Sequence, residues 1–404
     1  MTRETVLTGI DQEIDASRDA LLGLCRNLVQ ADSTNPPGRT AGVAGAVAAW
    51  LEEAGVPHEI IKADDEAPNV VSKVVGGAPG KHVIFHAHMD TMDAGDPTLW
   101  SVPPLALTRQ DGRAYGLGMG NMKGALAAMC LATALIYRRR AAIGGRLSLT
   151  AVSDEVMFGD RGTVFLLDQH PDLVGDYLIS GEGPGFMDLA VAEKGLLWLD
   201  LEVSGRGGHA SAARRGATTP AVLSGLLVSA DRLNDLYSVV PAELPGVSGG
   251  IDNLGFRLSV NAGALAAGQV RSLIATKARA QLDIRLPPGI SADAAEQMIW
   301  QCAPADAEVQ IRRVKGWDAN WTSVDSNICQ AMLKAVETVK GVKPRLVVRL
   351  PGSDARRWRD LGVPAVCYGP QPTLSSGIDD YADEQDLVDC AKVYARAALM
   401  LMDG

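Results

Sequence analysis

Read along the chain, apolar positions recur first at helical and then at strand spacing. Leu21, Leu22, Leu24, Cys25, Leu28 and Val29 share one face of a helix over residues 17–29, which has to stop before Asn35-Pro36-Pro37-Gly38. An alanine-rich helix follows over about 40–55, and short apolar runs at 69–75 and 82–88 read as strands. The glycines from Gly116 to Gly124 make a turn that opens a strongly helical segment, 125–137. Two more buried strands are expected, 147–152 ending at Ser153-Asp154-Glu155 and 176–180 ending at Glu182. Strands alternating with helices, with polar residues at successive strand ends, predict a mixed, mostly parallel sheet sandwiched by helices.

From Gly195 the texture changes. Residues 196–203 alternate apolar and polar side chains, 220–236 is helical, and 256–260 and 276–286 read as strands. A helix over 291–302, with Ser291 placed to cap it, and a strand over 308–314 complete the segment. Strand, helix, strand, strand, helix, strand is the order of an α+β, ferredoxin-like sandwich. It is inserted into the first domain, to which the chain returns with a helix at 326–340, strands at 345–350 and 365–368, and a last helix from Glu384 to Met402. The fold class is therefore α/β with domain boundaries at 1–194, 195–314 and 315–404.

Composition narrows the function classes. A chain of 404 residues is long enough for two domains, and 47% hydrophobic with 21% charged residues is ordinary for a globular protein. A net charge of -10 without a Lys/Arg block argues against nucleic acid or an anionic membrane as partner. No apolar run is expected to reach the length of a membrane span, and an amino terminus without an apolar signal region places the chain in the cytoplasm. The six cysteines form no Cys-x-x-Cys pair, so they read as buried small hydrophobes rather than disulfides or a thiolate zinc site.

Chemistry concentrates at the strand that leads into His88-Met89-Asp90. Ligands bind at the carboxyl ends of strands in open α/β sheets. His88 and Asp90 are two apart, so the carboxylate can accept a hydrogen bond from one ring nitrogen while the other binds a metal. Taken alone, such a pair is more often ordinary turn chemistry.

Further motifs downstream change that reading. They are Gly116-Leu117-Gly118-Met119-Gly120-Asn121-Met122-Lys123-Gly124, Ser153-Asp154-Glu155, Glu182, Gly205-Arg206-Gly207-Gly208-His209, Asp283-Ile284-Arg285 and Gly352-Ser353-Asp354-Ala355-Arg356 with Gly362-Val363-Pro364. In this order and spacing, and over nearly the whole chain, they resemble the co-catalytic metallopeptidases. That family includes aminoacylases, glutamate-releasing carboxypeptidases, acetylornithine deacetylase and succinyl-diaminopimelate desuccinylase. The resemblance implies a catalytic domain that holds two metals and a lid domain that makes dimer contacts. By its pattern His88 is a metal ligand, Asp90 the carboxylate behind it, Glu182 a ligand of the same metal and Glu155 the general base. His209 resembles the histidine that stabilises the oxyanion, while His86 matches no ligand and reads as a supporting residue.

The other half of the metal pattern departs from the family. Asn121 stands where the family has the aspartate that bridges both metals, and Val156 where it has a carboxylate for the second one. The histidine that precedes a late Asp-Glu pair is missing: Asp380 precedes Asp383-Glu384, and all six histidines lie at or before position 209. A neutral amide oxygen does not offset the repulsion of two dications about 4 Å apart as a bridging carboxylate does. One divalent transition metal per chain is therefore expected, Mn or Zn, held by His88 and Glu182 with Asn121 as a third ligand. Arg356 and Asn261 are expected to anchor a substrate carboxylate, and Asp380 to receive a substrate amine or hold a supporting hydrogen bond.

The expectation is a metal-dependent hydrolase that cleaves a C–N bond in a small carboxylate-bearing molecule and works as a homodimer. Loss of second-metal ligands favours an aminohydrolase that releases ammonia from an aromatic amine, as in the nitroanthranilate aminohydrolase of the same family. The alternatives are an amide-cleaving deacylase or carboxypeptidase, and a catalytically silent binding or regulatory dimer.

Overall fold

Buried strands that meet in register organise the chain, which the computed structural model describes over residues 3–373 and 377–403. Two units form. One comprises the residues up to Val191 with Thr322–Leu346 and those from Ser353 on; the other comprises Ala192–Trp321 with Val347–Gly352. The insertion thus takes in more of the chain than 195–314.

In the first unit the sheet order is His58–Lys62, Pro68–Val75, Gly144–Val152, Ala78–His88, Tyr177–Ser180, Ala365–Cys367, Leu189–Glu193. The four strands from Gly144–Val152 to Ala365–Cys367 run parallel. The strands on either side of them pair antiparallel, and for the first pair the short link from Lys62 to Pro68 leaves no room for the crossover that parallel pairing needs. The parallel strands are near-continuous apolar runs because both faces are covered. One cover is the helix Gly124–Arg138, buried from Gly124 to Ile136. Its partner is the helix Glu384–Met402.

Several elements differ from expectation. The helix Arg3–Ala16 was not foreseen, although Val6, Leu7, Ile10 and Ile14 give it a buried stripe. Met119–Arg138 is long and apolar enough to cross a membrane by composition, against the expectation that no such run exists; here it is core, 94% buried inside the fold. His82 is buried with Nε2 2.8 Å from Ser148 Oγ, and burial together with nearby Arg146 lowers its pKa to about 4. Among the described residues the cysteines form no disulfide.

The second unit is a four-stranded antiparallel sheet in the order Ser259–Ala267, Lys277–Leu286, Gly195–Ser204, Glu308–Trp317. Leu197, Leu199, Leu201 and Val203 alternate onto one face, where Leu223, Leu226 and Ala230 of one helix and Ala292, Ala295 and Ile299 of another cover them. Period-two alternation therefore fixes the register, since a slip by one residue would turn every leucine outward. Ser291 caps its helix by accepting from the Ala294 N–H at 3.1 Å. The strand expected at 256–260 instead starts at Ser259 and runs to Ala267, because Gly250 at φ +73° and Asp252 and Asn253 at φ +50° and +55° turn the chain over Ile251–Phe256. Arg285 pairs with Asp283 in bidentate fashion at 2.7 and 2.9 Å.

Candidate metal and active site

Three adjacent parallel strands deliver the site. Register pairs His88 with Val152 on one neighbour and His86 with Ser180 on the other. Glu155 follows Val152 by three residues and Glu182 follows Ser180 by two, so all three side chains emerge at one carboxyl edge. His88, Glu155 and Glu182 are buried, and one ligand atom from each lies within 4.8 Å of the others. His88 Nε2 stands 3.8 Å from Glu155 Oε2 and 3.7 Å from Glu182 Oε1.

The electrostatics of this trio call for a cation. Burial works against a charged imidazole at His88, but the carboxylates of Asp90, Glu182 and Glu155 outweigh it and hold its pKa well above the ordinary value. Burial and the charge of Glu182 push Glu155 well above the usual carboxylate range, with His88 opposing. Among the described residues, His88 Nε2 and Glu155 Oε1 are buried atoms without a hydrogen-bond partner. Buried acceptors left unmatched are rare in native proteins, and a mixed N/O set matches a divalent ion such as Zn or Mn. The residues fit a metal.

Asp90 works differently from the expectation. The His88 Nδ1 contact at 2.8 Å is to the Asp90 backbone oxygen, while the nearer carboxylate oxygen stands at 3.6 Å. The carboxylate instead accepts the backbone N–H groups of Glu155 at 3.1 Å and Val156 at 3.0 Å, and Asn35 Nδ2 at 2.8 Å. Asn35 also donates to Asp154 Oδ1 at 3.1 Å. Asp90 therefore fixes the turn that aims Glu155. Nothing in the sequence pointed to Asn35, which read only as part of a helix stop.

Asp380 sits at the glycine-rich loop. Its carboxylate accepts from the N–H of Gly118 at 2.9 Å and of Gly120 at 3.2 Å, and burial lifts its pKa to about 7. Gly118 has φ +83°, which an L side chain adopts only with strain, and this conformation turns the loop toward Asp380. Asn121 follows in the same loop. Lys123 is buried there, donates to the Ala31 oxygen at 3.0 Å, and burial brings its pKa down to about 8.

Beneath the trio lies a second polar cluster. His86 contacts Thr150 Oγ1 at 2.9 Å and Asp354 Oδ2 at 3.2 Å, and its ring packs against Trp358 with centroids 5.0 Å apart. Asp354 also accepts from Thr163 at 2.5 Å and Arg357 at 3.0 Å. Burial opposes its charge, but His86 and Arg357 hold its carboxyl well below the usual range. Arg356 follows in the helix Ala355–Asp360, with a contact of 3.3 Å to Asp360. His209 and Asn261 belong to the second unit and are exposed: His209 bonds Ser211 Oγ at 2.8 Å, and Asn261 pairs with Asp283 in the strand register.

A buried His/Glu/Glu trio at the edge of a helix-covered parallel sheet is a donor set for a divalent metal. Residues 84–400 match peptidase family M20/M25/M40; the chain belongs to that family and is, with it, a metal-dependent hydrolase acting on amide or peptide bonds. It is 27% identical over 401 residues to the succinyl-diaminopimelate desuccinylase of Methylocella silvestris, covering 92% of this chain and 95% of that one. Human carnosine dipeptidase 1 has the same fold, with a TM-score of 0.77 at 15% identity over 98% of each chain. So does YXEP of Bacillus subtilis, described as a dinuclear metal-binding peptidase of the family, with a TM-score of 0.67 at 14% identity over 96% and 99% of the two chains.

Proposed function

We propose that the chain hydrolyses an amide bond in a small carboxylate-bearing molecule, using one divalent transition metal, Mn or Zn. The observation that carries this reading is the buried trio with its unmatched atoms on His88 and Glu155. When bound, the ion supplies a positive charge that acidifies water and polarises a carbonyl. His88 and Glu182 would hold it. Glu155 takes the water proton and returns it to the leaving nitrogen. Arg356 anchors the substrate carboxylate through its guanidinium.

One observation favours a second reading, an aminohydrolase that releases ammonia from an aromatic amine. Asn121 brings no charge and Val156 has no side-chain ligand atom, so neither can serve a second ion as a carboxylate does. A silent binding protein is disfavoured by the survival of His88, Glu155 and Glu182 together in one buried cluster.

The strand Ser259–Ala267 supports a homodimer. It is the sheet edge, it carries no charge, and it is exposed from Asn261 to Ala267. Such an edge invites pairing with a second copy. Light scattering on Leu265→Lys should report a monomer where the parent is a dimer.

Elemental analysis of protein purified without added metal tests the central claim, read beside His88→Ala. One equivalent per chain, lost in the mutant, supports it. Two equivalents would overturn the single-ion reading. Turnover of small N-acyl amino acids against aromatic amines then separates the two reactions.

A further inference from the structure

The loops that flank the trio carry acceptors without donors. Gln371 is 4% exposed, and its Oε1 meets no donor among the described residues. Its stem is wedged between two glycines. A Cβ on Gly120 would lie 3.7 Å from Gln371 Cγ, and one on Gly183 would lie 2.8 Å from Gln371 Cβ. Gly120 precedes Asn121 and Gly183 follows Glu182, so the Gln371 side chain stands between those two loops. Asn121 Oδ1 is likewise buried and unmatched. Asp380 faces the same point from a third side, its Oδ1 2.7 Å from where the Gly120 Cβ would be.

This is a set of oxygens: two neutral amide carbonyls and one carboxylate. Each buried acceptor needs a donor. Lys123 is not that donor: its Nζ donates to the Ala31 oxygen, and Asn121 Oδ1 and Gln371 Oε1 stay unmatched among the described residues. A divalent ion prefers more negative charge than two amides supply. A primary ammonium carries three N–H donors and a single charge, which matches two neutral oxygens and one carboxylate.

We propose that this space receives a primary ammonium group of the substrate, with Asn121 Oδ1, Gln371 Oε1 and Asp380 as its acceptors. Asn121, expected from the sequence to be a third metal ligand, is thereby assigned to the substrate. The inference rests on the reading of the trio as a centre for small carboxylate-bearing amides, and it narrows their class to those that also bear a free amine.

The test is calorimetric titration of Mn-loaded Glu155→Gln protein with two matched pairs of probes. Glycyl-L-alanine is compared with acetyl-L-alanine, and β-alanyl-L-alanine with propionyl-L-alanine; within each pair only the ammonium differs. At least one amine should bind about tenfold or more tighter than its partner. Gln371→Met should erase that preference without changing ion content, and Gln371→Glu should keep it. Equal affinities within both pairs overturn the ammonium site and leave the hydrolase reading standing. A preference that survives Gln371→Met overturns it too, as does a loss of ion in Gln371→Met or Asn121→Ala, which would assign these oxygens to a metal. If no probe binds, the small-amide reading falls and takes the ammonium site with it.

Discussion

Replacing Asp90 should loosen the turn that carries Glu155, in a way that hydrogen exchange can measure. Asp90 is fully buried and accepts the backbone N–H groups of Glu155 and Val156 at 3.1 and 3.0 Å. In Asp90→Ala both donors stay in the fold without an acceptor. A buried donor left unpaired costs about 1–3 kcal/mol. Taking about 2 kcal/mol for each, and tenfold per 1.4 kcal/mol, the two amides should exchange about 30-fold faster. Asp90→Asn keeps one acceptor oxygen and should fall between the two. Asn35→Ala removes a donor to Asp90 but leaves both backbone bonds, so its effect should be only about 1 kcal/mol. The assay is mass-spectrometric exchange of the peptide over residues 153–158, on metal-free protein so that ion binding does not mask the change. A chain of two units does not give one unfolding free energy, and for that reason a local readout is preferable. Exchange in Asp90→Ala within about twofold of the parent would refute the assignment.

Other outcomes follow from the same geometry. Glu155→Gln should lower kcat by about 10²–10⁴ with ion content intact; loss of the ion would make Glu155 a ligand instead of the base. Lys194 donates to the backbone oxygens of Leu254 at 3.1 Å and Arg257 at 2.5 Å, yet burial, aided by Arg257 and Arg285, lowers its pKa to about 7. The unfolded chain then binds that proton more tightly than the folded one. Stability should rise from pH 7 toward 10.5, by on the order of 5 kcal/mol, and Lys194→Met should flatten the rise; melting temperatures that move in parallel would count against this. Ser291→Ala should cost about 1 kcal/mol through loss of the cap on Ala294, read as a lower melting temperature, and an unchanged one would mean the cap contributes nothing.

The sequence by itself determined the two layers and most of the trio. Apolar runs at 82–88, 147–152 and 176–180 marked the parallel strands, and polar residues just past them marked where chemistry sits, because a buried strand can place a charged side chain only at its end. The alternation over 196–203 fixed the face of the inserted sheet for the same reason. What stayed hidden depends on which distant residues meet. The donors to Asp90 and the role of Asn35 arise from contacts over a separation of 55 residues or more, between polar groups that leave no periodic trace. His86 with Asp354 and Gln371 between two glycines are of the same kind. Periodicity reports which way a side chain faces, whereas partner identity is set by register and loop closure, and these exist only once the sheet has assembled.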